Sequence, residues 1–247
     1  LIIKMPEGPS LVILKEQLLP FTGRRVVELT GNTKEPVSDL AGKRIKEFRT
    51  WGKHLLICFE TTAIRIHFLL FGSYRINERR ESPVRLGLRL GNDEINFYAC
   101  SVKLIQGDLD EVYDWEADVM SEHWKPRKAK KRLLKGPKEQ AADALLDQEI
   151  FSGVGNIIKN EVLFRIRVQP ESRIGALSTD RLSALVREAR KYSFQFLEWK
   201  KEGVLKRNWL AHRKQTCPRC KIPLTKKVTG KRKRQSYFCR NCQVLYK

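Results

Sequence analysis

The chain has 247 residues, with 49 Lys or Arg against 28 Asp or Glu and a formal net charge of +21 at pH 7. Apolar residues make up 41% and charged residues 31%, which suits a packed core and excludes a disordered basic tail. So large a cationic excess opposes compaction, so an anionic partner is expected to use it, nucleic acid above all, with a ribosomal or membrane-surface protein as the other outlets.

No apolar run approaches the roughly 20 residues of a bilayer span. Leu1-Ile2-Ile3-Lys4 is too short to read as a signal peptide. Residues 10–19 fit a short amphipathic helix, with Ser10 as its N-cap after Pro9. From about 24 to 106 the text breaks into short β-like runs: Val26-Val27, Ile45, 54–59, 63–68, 85–90 and 95–98. Gly, Asn, Asp or Glu separate them, and several alternate with period two, so a sandwich or barrel is expected. Cys58 and Cys100 lie in these runs and read as core thiols.

After Asp108 the pattern becomes helical and highly charged to about residue 199. Residues 125–135 carry cations and no acid, and fit a linker, a solvated helix face or a phosphate-facing one. Leu182, Leu185, Val186, Ala189, Tyr192, Phe196 and Trp199 recur at helical spacing, the mark of a buried stripe. Within 148–164, Gly153 and Gly155 frame a tight turn ahead of a helix. Backbone amides at such a helix start attract anions, and Asn156 adds a side-chain donor; an ordinary glycine turn between helices is the plainer alternative.

Near the end, Cys217-Pro218-Arg219-Cys220 and Cys239-Arg240-Asn241-Cys242 have the spacing of a four-thiolate zinc ribbon or finger. With all four positions filled, the Zn2+ would be structural. Two disulfides are the other possible use, but the cysteine pattern suits a reducing compartment. Between the pairs lies a basic hairpin with Lys226, Lys227, Lys231, Arg232, Lys233 and Arg234.

Four motifs occur in order: Pro6-Glu7-Gly8-Pro9, Gly52-Lys53 before a strand, Gly153-Val154-Gly155-Asn156, and the hairpin ending Arg234-Gln235-Ser236-Tyr237-Phe238-Cys239. Together they resemble the formamidopyrimidine-DNA glycosylase and endonuclease VIII family from Pro6 to Gln243. The resemblance implies an α+β multidomain fold: an N-terminal β-sandwich (1–112), a helix–two-turn–helix domain (113–208) and a C-terminal zinc-finger β-hairpin (209–247). It implies a base-excision-repair enzyme, a DNA glycosylase with AP lyase activity, acting on duplex DNA with oxidised or abasic sites; nothing in the sequence suggests more than a monomer. A cytoplasmic, nucleoid-associated setting of bacterial type follows from the same resemblance.

By that resemblance Pro6 is the nucleophile, Glu7 a proton donor to the sugar ring oxygen, and Lys53 a contact to the lesion-flanking phosphate or sugar. Gly153, Gly155, Asn156 and Arg234 would hold phosphates, and Leu69, Leu70 and Phe71 fall where the family carries a base-stack filler. A core strand end is the alternative for those three. The sequence also departs from the family. Pro6 follows Leu1–Met5, and a proline inside a chain is a tertiary amide that cannot attack. Ser10 stands where the family usually has Glu. A damage-binding member that does not cut is therefore the second reading. The Arg-x-Phe pair of formamidopyrimidine enzymes is missing near 98–103, and the stretch before Cys217 is short. Both favour the endonuclease VIII branch and oxidised pyrimidines.

Overall fold

The computed structural model describes residues 6–247. The expectation that Leu1–Met5 are removed ahead of Pro6 lies outside them. The chain forms two compact units, one ending at Tyr113 and the other beginning at Asp114.

The first unit opens with α1 (Gly8–Leu18). Its N-cap position is Glu7 rather than Ser10, because Pro9, whose fixed φ suits a first helical turn, already sits inside the helix. Ser10 is thereby buried in that turn, at 2% exposure. Six antiparallel strands follow: β1 (Glu28–Thr30), β2 (Glu47–Trp51), β3 (His54–Cys58), β4 (Thr62–Ile76), β5 (Leu86–Leu90) and β6 (Asp93–Gln106), in the order β1-β5-β6-β4-β3-β2. The short α2 (Leu109–Val112) closes the unit.

The β-sandwich arises because β4 and β6 are long enough to belong to two layers. The first half of β4 pairs with β3, and the second half pairs with the start of β6, which also holds β5. Leu11 and Leu14 of α1, Ile57, Ile64 and Ile66 from one layer, and Leu86, Leu88, Ile95 and Phe97 from the other share one buried cluster. The run at 63–68 is thus the first part of a strand that continues to Ile76, across an irregularity between Phe68 and Ser73. Val26-Val27 lies just outside β1.

The second unit contains α3 (Pro126–Leu133), α4 (Ala141–Leu146), α5 (Asn156–Arg165) and α6 (Thr179–Lys201), then the hairpin of β7 (Thr225–Thr229) and β8 (Arg234–Phe238). The basic segment at 125–135 is no linker. Ala129 and Leu133 bury one face of α3, while Lys128 bridges Asp114 and Glu116, both at 2.8 Å. On α6, Tyr192 and Phe196 are buried and Trp199 packs partly buried against the same cluster. No helix among the described residues is long and apolar enough to cross a membrane.

Candidate DNA-repair site

Two sets of site residues are built locally. In the second unit, the ligand atoms of Cys217, Cys220, Cys239 and Cys242 lie within 4.8 Å of one another. Cys217 Sγ and Cys242 Sγ are 3.7 Å apart, far beyond a disulfide of about 2.05 Å. Thiolates about 2.3 Å from a tetrahedral ion stand about 3.8 Å from each other, so the cluster fits one ion. The finger packs against α5 through Phe164 and Ala211, and the Arg219 guanidinium lies 4.0 Å from the Phe164 ring centroid. Cys58 and Cys100 are core thiols, each pushed up to about 12 by burial.

The glycine turn and the basic hairpin, over 70 residues apart in sequence, meet. Gly153 has φ +94°, a left-handed conformation that favours glycine, whereas Gly155, in the N-cap position of α5, has φ −123° and needs none. Asn156 Nδ2 donates to the Gln235 carbonyl at 3.1 Å. The side-chain amide read as a phosphate donor therefore gives one of its two Nδ2 hydrogens to the hairpin and keeps the other. Lys159, wholly buried, donates to the same carbonyl at 3.2 Å and to Ser236 Oγ at 2.7 Å. Asn160 accepts from the Tyr237 amide at 3.0 Å. Glu161 accepts the amides of Leu210 at 3.0 Å and of Ala211 and His212 at 2.8 Å.

Sequence reasoning missed this triplet. The available signal was three consecutive polar residues inside Ile157–Phe164, a helix otherwise apolar on every side. It also missed Asp143, buried on α4, whose carboxylate accepts the Lys231 amide at 2.7 Å and the Arg232 amide at 3.1 Å. That carboxylate fits only because residue 230 is glycine: a Cβ there would stand 2.3 Å from Asp143 Oδ1. With the hairpin tip so held, Arg234 opens β8, exposed and without an ion pair among the described residues.

In the first unit, Pro6 is buried and Glu7 is 2% exposed at the start of α1. Lys53 is the second residue of the two-residue turn between β2 and β3, just before the strand, and Gly52 takes φ +54° there. Helix α1 packs on both strands of this hairpin. Beside Lys53, His54 and His67 face each other across β3 and β4 with ring centroids 5.2 Å apart. Burial, then His67, Arg65 and Lys53, lowers His54 to about 3; burial, Lys53 and Arg65 lower His67 as well. Both rings are thus neutral at physiological pH.

Leu69, Leu70 and Phe71 occupy the irregularity in β4 and are 52%, 53% and 69% exposed. Behind them Gly72 is hemmed in, since a Cβ would approach Phe68 Cβ to 2.8 Å and the Ala99 carbonyl to 2.9 Å.

Residues 5–100 match the formamidopyrimidine-DNA glycosylase N-terminal domain, and residues 116–206 match the formamidopyrimidine-DNA glycosylase H2TH domain. The chain belongs to the formamidopyrimidine-DNA glycosylase and endonuclease VIII family. It is 31% identical over 241 residues to Endonuclease 8-like 3 of Xenopus laevis, covering 92% of this chain and 39% of that protein. It is 30% identical over 225 residues to Endonuclease 8 2 of Mycobacterium tuberculosis (strain CDC 1551 / Oshkosh), covering 83% of this chain and 86% of that protein. The chain thus spans well under half of the first relative's length and most of the second's. Both relatives lie on the endonuclease VIII-like side of the family. In fold it matches a crystal structure of a complex between the LlFpg protein, a THF-DNA and an inhibitor, with a TM-score of 0.84 at 20% identity, covering 97% of this chain and 100% of that one.

Proposed function

We propose that this chain is a base-excision-repair DNA glycosylase with AP lyase activity, acting on oxidised bases, oxidised pyrimidines foremost, in duplex DNA. The observation that carries this is the Pro6-Glu7 step: a buried proline followed directly by a glutamate that is 2% exposed, at the start of the domain that matches the family.

The chemistry requires Pro6 to be the free N-terminus. Its neutral secondary amine attacks C1′ of the flipped nucleotide and the damaged base leaves. Glu7 donates a proton to the ring oxygen as the sugar opens, leaving an iminium between the Pro6 nitrogen and C1′. Loss of a C2′ proton then expels the 3′ phosphate, and a second elimination expels the 5′ phosphate. Lys53 contacts the flanking phosphate or sugar, and the neutral His54 and His67 add no charge beside it. Gly153, Gly155, Asn156 and Arg234 hold backbone phosphates around the lesion. Leu69, Leu70 and Phe71 fill the vacated stack, as exposed apolar wedges do. A structural Zn2+ on the four cysteines supplies folding energy to the finger and has no position open for catalysis.

A damage-binding role without cleavage is the second reading. It is favoured by the tertiary amide that Met5 imposes on Pro6 when attached, and by Ser10. Borohydride trapping on oxidised-pyrimidine, oxidised-purine and abasic duplexes separates the two, using preparations that begin at Leu1 and at Pro6. The Pro6 preparation should give a covalent adduct at the Pro6 nitrogen and the Leu1 preparation none. A trapped adduct with Leu1 still attached would refute the assignment.

A further inference from the structure

We propose that the groove between α3 and α6 docks an acidic segment of a partner protein that carries a large apolar anchor. The groove encloses about 800 Å³, the size of a pocket that takes a bulky side chain with its neighbours. Trp124, Val186 and Phe194 give it apolar walls, and no acidic side chain lines it. Phe194 is 39% exposed and lies off the buried stripe of α6, so packing within the unit does not account for it.

Charge complementarity specifies the occupant. Arg127 of α3 and Arg187 and Lys191 of α6 line the groove, are exposed, and make no ion pair among the described residues. Arg187 and Lys191 are four residues apart on α6 and so lie on one face, set to meet two carboxylates. The other cations lining the groove are already engaged: Lys130 donates to Ser183 Oγ at 3.0 Å, and Arg190 to the carbonyls of Val119 at 3.1 Å and Ser121 at 2.7 Å. A nucleic-acid strand would want an open aromatic face on which to stack bases. Trp124 is 7% exposed, and the Arg190 guanidinium sits 5.0 Å from the Phe194 ring centroid. An apolar side chain between carboxylates suits such walls better than a base. The groove also shares no residue with the Gly153–Asn156 turn or the finger, so both surfaces can be occupied at once.

The test uses the full zinc-loaded chain and a fluorescein-labelled probe peptide, Glu-Asp-Phe-Leu-Glu-Asp, read by anisotropy at about 0.15 M salt. Saturable binding is expected. It should weaken by about tenfold or more in the double variant R187E/K191E, in F194S, and when the peptide's Phe and Leu are replaced by Ser. Affinity for an abasic duplex should change by less than about threefold in each variant, which also reports that they fold. The peptide should remain bound under saturating duplex. The proposal is overturned by absence of saturable binding, by equal affinity for the Ser-substituted peptide, by displacement of the peptide by duplex or single-stranded DNA, or by a duplex affinity that falls as far as the peptide's.

Discussion

The imidazole of His54 makes a sharp prediction about acid stability. Folded, it is lowered to about 3, first by burial and then by the positive surroundings of His67, Arg65 and Lys53; unfolded, it returns to its ordinary value of 6.5. A group with a depressed folded value takes up its proton on unfolding, so its contribution disfavours the folded state as pH falls below 6.5. At pH 7 about a quarter of unfolded chains carry that proton. At pH 5 nearly all do, while the folded chain still does not. The slope of about 1.4 kcal/mol per pH unit, acting over about 1.5 units, removes about 2 kcal/mol of stability between pH 7 and 5. Replacing His54 by Phe keeps a ring near Trp51, at 5.5 Å, and Tyr113, at 5.9 Å, and abolishes the titration. His67 shifts in the same direction and remains in the variant. The assay is urea unfolding at pH 7, 6 and 5, read by hydrogen exchange at the β3 and β4 amides. His54→Phe should lose about 2 kcal/mol less than the parent over that range. An equal loss in both proteins would refute the assignment of a buried, neutral His54.

Asp143→Ala removes two hydrogen bonds from the hairpin tip, a local loss of about 2–4 kcal/mol; exchange at the Lys231 and Arg232 amides should accelerate accordingly, and unchanged protection would discount the anchor. Arg234→Ala should weaken duplex binding across sequences and lower the salt slope by about one, because a phosphate contact carries no base information; an unaltered slope would remove Arg234 from the phosphate contacts. Cys239→Ser should release zinc and loosen the hairpin, as metal analysis of the purified variant would show; a full zinc content would overturn the four-thiolate assignment.

What was legible in the sequence follows from how local each constraint is. Four thiolates around one ion need two short-spaced pairs, so Cys217, Cys220, Cys239 and Cys242 announce themselves. The stripe of α6 is similarly local, because 3.6-residue periodicity is fixed within the helix. Ser10 misled because its side chain suits an N-cap, whereas Pro9 sets the helix start earlier. The extension of β4 past Phe68 was hidden because the irregularity breaks the alternation that marks a strand. Lys159, Asn160 and Glu161 were hidden for a different reason. Their side chains suit a solvated helix face, and only the return of 210–212 and 235–237 onto α5 makes them interior. No window of sequence contains both partners of those bonds.

That hidden triplet changes what the metal does for recognition. The Gln235 carbonyl receives Asn156 Nδ2, Lys159 Nζ and Asn160 Nδ2 at 3.1, 3.2 and 3.3 Å. A carbonyl has two lone pairs, so three donors crowd one acceptor, and these three bonds persist only while β8 keeps its register. Register depends in turn on the finger, whose Cys239 directly follows β8 at Phe238. Loosening the cysteine cluster therefore frees the carbonyl and takes a partner from the half-buried Asn156 and the buried Lys159, at a cost of about 1–3 kcal/mol for each one left unpaired, while Asn160 Nδ2 keeps the Asn156 carbonyl at 2.8 Å. Because Asn156 is also the first residue of α5, this disturbance reaches the Gly153–Asn156 turn without any contact between metal and DNA. Loss of order at the four cysteines would thus act on the turn through β8 and the α5 donors, in that order, along hydrogen bonds that no cysteine makes.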